Sequence, residues 1–443
     1  MKTGAQRGGR LYLSDVHFRR LRNYDEGRAK SEHYQIFDWR RRYAIAQQWV
    51  GVIQVPGLSV EILPKIAPRA CEEKPEAQTE FSRKNLLYML ILAGKLPIRE
   101  RDLADQSAAK SPLLETLIAI FAKRLFFELN RGRQHSYLRR RENLPVLKGK
   151  LAFSEHIKHN IARKDRFFVE HDEFLPDTAL NRIFKAACRR LFETTSTTHT
   201  QERLTYCLML LDEVADISIG AHHFDKVIIN RQNERFADLF AFSRLVLTER
   251  APAAAAGAQN TFSLLFDMNV VYENFVAEFL RRYVLTDDLA DCKLFAQATS
   301  RLQHLVYRPP AELPPDYRPR KHGKKTLALK ADLLIERGDQ RLVMDTKWKR
   351  LSEEKGGRQG VSRDDLFQLF AYAHNYRAQH NVLLYPQPAG EVDVQVFDLP
   401  VREGGESPQQ IHARFVDLNR DLRASRKALV GELRGLVSKM LLE

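Results

Sequence analysis

At 443 residues, with 44% hydrophobic and 29% charged positions, the chain has a globular composition and exceeds one ordinary domain of roughly 100 to 200 residues, so two or three are expected. Lys and Arg outnumber Asp and Glu by 71 to 56, a formal charge of +15, which favours a polyanionic partner because neutralising phosphates releases condensed counterions. Cys71, Cys188, Cys207 and Cys292 form no CxxC pair, and the sequence carries neither a signal-peptide pattern nor a membrane-length apolar run, which argues against a zinc ribbon, a disulfide framework and a membrane span and for a reduced, cytoplasmic setting.

The first 66 residues contain strand-like runs, Leu11-Tyr12-Leu13, Trp49 to Ile53 and VPGLSVEILPKI, and read as a β-rich module, 1–80, whose polar, proline-bearing end PRACEEKPEAQTE at 68–80 reads as a linker or exposed loop. From 81 to 260 the pattern is mainly helical. SPLLETLIAIFAKRLFFELNRG offers Ser111 as a cap, Pro112 for the first turn and Gly132 as the stop. Further helices are expected near 177–192, 204–211 and 236–247, until RAPAAAAGAQN at 250–260 breaks the pattern.

The third domain, 261–443, reads as a helix near 263–283, a strand, a Pro- and Lys-rich loop, a strand hairpin, a Gly-rich loop, a helix and further strands including Val382 to Tyr385. VDVQVFDLP and a terminal helix near 407–441 follow. A mixed sheet with flanking helices is expected, in an α+β multidomain chain.

The most informative segment is KADLLIERGDQRLVMDTKWKRL, where apolar-rich runs flank Gly338-Asp339, a pair suited to a two-residue hairpin turn. Centring the turn there sets Asp332 directly across from Asp345. Opposed side chains share a face with Cβ atoms roughly 4.5 to 5.5 Å apart, close enough for two carboxylates to share a divalent cation. Lys347 follows Asp345 by two residues and falls on the same face, with Thr346 pointing away. A cross-strand ion pair would produce the same spacing.

In SLLFDMNVVYENFVAEFLRRY, helical projection places Glu273 on a stripe with Phe266, Val270, Ala277 and Leu280. A carboxylate on an apolar face calls for a metal, a cation or a strong donor, because an unpaired buried charge costs several kcal/mol; a polar cleft along the helix is the other reading. In SRDDLFQLFAYAHNY, Ser362 and Asp365 fit a capping box, and Gln368 and Tyr372 lie one turn apart.

In this order, Glu273, Asp332, Asp345-Thr346-Lys347 and Gln368-x-x-x-Tyr372 resemble the core of the PD-(D/E)XK nuclease superfamily, with Ala331 in the place of the usual proline. More narrowly, VPGLSVEILPKI, ENLPVLKGKLAF, DTALNRIFKAA, LFDMNVVYENFV and DDLFQLFAYA resemble the McrC family, the nuclease subunit of modified-cytosine restriction systems. The resemblance implies a C-terminal restriction-endonuclease-like domain that cuts double-stranded DNA with Mg²⁺ held by Asp332, Asp345 and Glu273, with Lys347 and Gln368 completing the catalytic set. It also implies an N-terminal part that docks on and stimulates a GTP-hydrolysing AAA+ McrB-type partner. The absence of a P-loop pattern assigns GTP to that partner.

Arg318, Arg320, Lys321, Lys324 and Lys325, in DYRPRKHGKKT, are candidate contacts to DNA phosphates, with Tyr372 beside them at the site; RGRQHSYLRRR is a second basic segment. His156 with His159, and His222 with His223, have metal-like spacing without an accompanying Cys or Glu pattern, and read as structural. A RecB-like exonuclease, or an activator of an AAA+ GTPase whose nuclease centre is dispensable, would fit the same motifs.

Overall fold

The computed structural model describes residues 6–7, 10–32, 34–66, 75–104, 111–248, 261–297, 303–306, 325–349, 351, 360–388, 395–398 and 410–442. Two compact units emerge, each assembled from separated stretches: 1–35, 52–60 and 97–264 form one, and 36–51, 61–96 and 265–443 the other. Among the described residues no helix is long and apolar enough to cross a membrane.

The first unit is largely helical. Helices Leu113–Arg131, Ala179–Thr194, Thr198–Leu210 and Ala237–Thr248 pack through buried side chains such as Phe121 and Phe242, whose rings stack at 5.1 Å. The first of these helices begins one residue later than the capping pattern suggests: Pro112 is itself the N-cap and Ser111 lies outside, a shift of the size common at helix ends. Gly132 ends it at φ +137°. An unanticipated helix, Asp15–Glu32, occupies the segment read as β-rich. Its charges hide its period, yet Leu21, Tyr24, Asp25 and Arg28 are buried, and Tyr24 Oη and Arg28 Nη1 each reach Ser263 Oγ at 2.6 Å.

The same unit holds a small antiparallel sheet of Ser136–Leu144, Phe167–Leu175 and Lys150–Leu151. Gly149 sits at φ +76°, where a Cβ would lie 2.5 Å from the Glu170 carbonyl oxygen, so only glycine fits this turn. The basic segment RGRQHSYLRRR runs into this sheet, and its arginines are matched by acids: Arg139 with Glu170 and Asp172, Arg140 with Glu142 and Glu173, Arg141 with Glu170. Where the sequence allows a DNA path or a solvated loop, the structure has an ion-paired strand.

The second unit is built on a six-stranded mixed sheet. The strands of this sheet and three of the unit's helices are, in chain order, helix α1 (Met268–Phe279), strands β1 (Lys293–Ala296), β2 (Leu333–Arg337) and β3 (Gln340–Thr346), helix α2 (Arg363–Tyr376), strands β4 (His380–Pro386), β5 (Gln395–Asp398) and β6 (Gln410–Val416), and helix α3 (Arg426–Leu442). The strand order is β1-β2-β3-β4-β6-β5. β3, β4 and β6 run parallel, and the outer pairs are antiparallel. Odd-numbered residues Val343, Leu383, Tyr385, Ile411 and Ala413 form one buried face, packed with Leu369, Tyr372 and Tyr376 of α2.

Two boundaries differ from the periodicity reading. Residues 262–267, read as the start of a helix, form a strand whose first five residues are buried; Asp267 then caps α1 by accepting from the Asn269 backbone N–H at 2.8 Å. A short, wholly buried apolar run does not distinguish strand from helix by period. Residues 410–416, read as the start of the terminal helix, form β6; the alternation Gln410, His412, Arg414 against Ile411, Ala413, Phe415 is a strand pattern with an unusually polar inner face.

Candidate active site

The β2–β3 hairpin turns at Gly338-Asp339, with Gly338 at φ +56°. A positive φ at the first central residue is the type II′ arrangement that matches strand twist. Leu333 pairs with Met344 and Arg337 with Gln340, so the register is the one expected from the turn. Asp332 stands one step beyond the last ladder pair, at a bend.

That bend changes one expectation. The Asp332 carboxylate leans over the end of β3, where its Oδ2 accepts from the backbone N–H and the Oγ1 hydroxyl of Thr346 at 2.8 and 2.9 Å. Thr346 therefore does not point away from the site. Beyond the ladder, strict alternation no longer holds.

Asp345 is fully buried, with an ion pair to Lys347 and no other polar contact to its carboxylate oxygens among the described residues. Lys347 Nζ lies 2.6 Å from its Oδ2 as an ion pair. Burial, then the charge of Asp332, push the Asp345 carboxyl up to about 7 despite the lysine. Burial pulls the Lys347 ammonium down, but the Asp345 charge and the contact with it outweigh that effect and leave it above its usual value.

A relay fixes the lysine. Lys347 Nζ donates to Gln368 Oε1 at 2.8 Å, and Gln368 Nε2 donates to Tyr372 Oη at 2.8 Å. Tyr372 is buried, and burial raises its phenol despite the Gln368 bond. The one-turn spacing on α2 thus carries a polar chain from a buried hydroxyl to the ammonium.

Glu273, half-buried on α1, has its carboxyl raised by burial and by Asp332. Gln297 lies against it and, with Lys330 and Lys95, opposes the rise. The strong donor expected for this residue is a side chain that the sequence does not single out. Lys349 is another: its Nζ lies 2.6 Å from Asp365 Oδ2, and Tyr385 Oη donates to the same oxygen at 2.9 Å. Ser362 Oγ accepts from the Asp365 backbone N–H at 3.2 Å, so that half of the capping box forms, while the Asp365 carboxylate holds Lys349 and Tyr385.

Among the described residues no three His, Cys, Asp or Glu side chains already converge as a metal-holding group. Arg318, Arg320, Lys321 and Lys324 lie outside the described residues, as does the side chain of Lys325 at the start of the strand 325–329. In the first unit, His156 Nδ1 accepts from the Phe168 backbone N–H at 3.2 Å, His159 pairs with Glu155, and His223 Nδ1 accepts from the Gly220 N–H at 2.9 Å.

The curated Escherichia coli (strain K12) protein described as Type IV methyl-directed restriction enzyme EcoKMcrBC is 21% identical over 356 residues, spanning 76% of this chain and 96% of that one. A chain of the refined half-complex from the tetradecameric assembly of Thermococcus gammatolerans McrB AAA+ hexamers with bound McrC shares the fold at TM-score 0.69, with 21% identity, 94% of this chain and 96% of that chain covered. The model of the McrBC 5-methylcytosine restriction system component family matches residues 44–386, most of the sequence and all of the α1 to β4 segment, and the chain therefore belongs to the McrBC family.

Proposed function

We propose that this chain is the Mg²⁺-dependent endonuclease subunit of a 5-methylcytosine-directed restriction system, with a PD-(D/E)XK centre in its second unit. The observation that carries the reading is Asp345: a fully buried carboxylate set against a second one, Asp332, with one lysine ion-paired to it and anchored by Gln368. One ammonium does not offset two neighbouring carboxylates, and burying the surplus negative charge is unfavourable unless another cation compensates it. A structural ion pair would not need two carboxylates in mutual repulsion.

The donor set suits Mg²⁺, a hard cation that takes one or two carboxylates and leaves its other positions to water and phosphate. Asp332 and Asp345 would hold it, with Glu273 as the third carboxylate. When bound, it would acidify a water and stabilise charge on the scissile phosphate. Lys347, fixed between Asp345 and Gln368, orients the attacking water through Nζ and donates to the developing phosphate charge. Gln368 and Tyr372 hold that ammonium in place. Arg318, Arg320, Lys321, Lys324 and Lys325 lie in sequence just before Asp332 and would neutralise backbone phosphates of double-stranded DNA.

The E. coli relative is described as methyl-directed, and the structural relative is solved with McrB AAA+ hexamers. By that kinship this chain works with, and stimulates, a McrB-type GTPase, which binds the GTP. The deciding experiment is cleavage of methylated and unmethylated closed-circular DNA with Mg²⁺ and GTP, using wild type and Asp345→Ala, with and without a McrB-type protein. Cutting that requires partner, methylation and Asp345 is expected. Cutting by Asp345→Ala sinks the site assignment, and degradation only of DNA with free ends favours a RecB-like exonuclease. Stimulated GTP turnover without any cutting favours an activator.

A further inference from the structure

Gln297 follows β1 directly and adopts φ +53°. A left-handed conformation is unfavourable by roughly 1 to 2 kcal/mol for a residue with a Cβ and costs glycine nothing comparable. Among the described residues only Asp287 and Arg377 share this feature without being glycine, and Arg377 is the left-handed cap of α2, an ordinary helix ending. Gln297 ends no helix. Its conformation persists in a turn where glycine would be the easier choice, which points to a use for its side chain.

Three contacts show that use. The Gln297 backbone N–H donates to the Asp332 carbonyl oxygen at 2.5 Å, carrying the β1–β2 register past its last pair, Ala296 with Leu333. Its side-chain oxygen accepts from Lys330 Nζ at 2.7 Å. The same side chain lies against Glu273 and opposes the rise of its carboxyl; a carboxylate only accepts, so the amide NH₂ is the end that serves it. One uncharged group thus bridges an acid and an ammonium, which an amide does because it carries both a donor and an acceptor.

We propose that Gln297 is a positioning residue of the nuclease centre, which fixes the Glu273 carboxylate and the Lys330 ammonium beside Asp332, where Asp332, Asp345 and Glu273 would hold the divalent cation. The inference rests on the Mg²⁺-nuclease reading and extends it. In this role Gln297 would act through Glu273 and Lys330 rather than on metal or DNA directly. Leucine or methionine would keep the bulk and lose the bridge, whereas glycine would relieve the backbone and lose the bridge as well.

The test pairs Gln297→Gly with Gln297→Met. Thermal unfolding reports the strain, and titration with Mn²⁺, followed by its EPR signal, reports cation binding without DNA. Gln297→Gly should melt higher than wild type yet bind Mn²⁺ about tenfold more weakly, the lower range for loss of an outer-sphere partner; Gln297→Met should match it in Mn²⁺ binding. Wild-type Mn²⁺ affinity in both variants overturns the inference and leaves the nuclease reading intact. Failure of the wild type to bind Mn²⁺ any better than Asp345→Ala overturns both.

Discussion

Lys347 Nζ stands 2.6 Å from Asp345 Oδ2 and 2.8 Å from Gln368 Oε1, so a β3 carboxylate and an α2 amide hold one ammonium between them. The lysine's position is set by tertiary structure as much as by the D-x-K spacing. Removing the carboxylate should be the more damaging change. Asp345→Ala is expected to lower cleavage by about a thousandfold or more, corresponding to several kcal/mol of lost transition-state charge stabilisation. Far-UV circular dichroism should be unchanged, and single-turnover cleavage under saturating Mg²⁺ measures the loss. A decrease below tenfold would remove Asp345 from the centre.

The relay through Gln368 sets an order of effects. Gln368→Ala removes the Lys347 anchor and should slow cleavage about tenfold to a hundredfold, the range for partners that orient a primary group. Tyr372→Phe removes only the hydroxyl that holds the far end of Gln368 and should cost less, about one hydrogen bond or roughly 1 kcal/mol. The double variant should be no slower than Gln368→Ala alone, because the tyrosine acts through the glutamine. Additive losses in that cycle would show that Tyr372 contacts the reaction independently.

The hairpin is the most legible part of this site. A glycine suited to positive φ and the period-2 rule determine which residues oppose which, and the structure keeps that register from Leu333–Met344 to Arg337–Gln340. Gln368 and Tyr372 are legible because a helix brings residues four apart together. The partners outside such local rules are not. Gln297 approaches Glu273 only because β1 returns alongside β2, a pairing of segments nearly forty residues apart. Lys349 reaches Asp365 only once α2 packs over the sheet. Thr346 meets the site because Asp332 lies one step beyond the β2–β3 ladder and its carboxylate leans over the end of β3. The strand at 262–267 reads as helix for another reason: a run buried on both faces lacks the polar–apolar contrast on which periodicity depends.

His412 is buried on β6, and neither of its ring nitrogens has a hydrogen-bond partner among the described residues. Burial first, then the charges of Arg414, His380 and Lys439 against the weaker opposing effect of Asp398, lower its pKa to about 4. The unfolded chain, with an ordinary histidine near 6.5, therefore binds the proton more readily between about pH 6.5 and 4. Stability from this group is complete above pH 6.5 and lost as pH falls through that window, by up to about 3 kcal/mol. His412→Leu should flatten the acid limb of a urea-unfolding series between pH 7 and 4. An unchanged pH slope in the variant would show that His412 is solvated in solution.

The two basic segments should behave differently toward DNA. Arg139, Arg140 and Arg141 already face Glu170, Asp172, Glu142 and Glu173, so few of their charges remain to displace counterions from a duplex. Arg318, Arg320, Lys321 and Lys324 come just before the strand 325–329, which Lys325 begins and which leads toward Asp332. Replacing Arg320 and Lys321 by Gln should weaken duplex binding and reduce the slope of log K against log salt by about one for each phosphate no longer neutralised. Arg140→Gln with Arg141→Gln should leave that slope unchanged and cost at most about 1 kcal/mol of stability per exposed pair. Fluorescence anisotropy of a labelled duplex across a salt series separates the two; a reduced slope in the 140–141 variant instead would place the DNA path on the small sheet of the first unit.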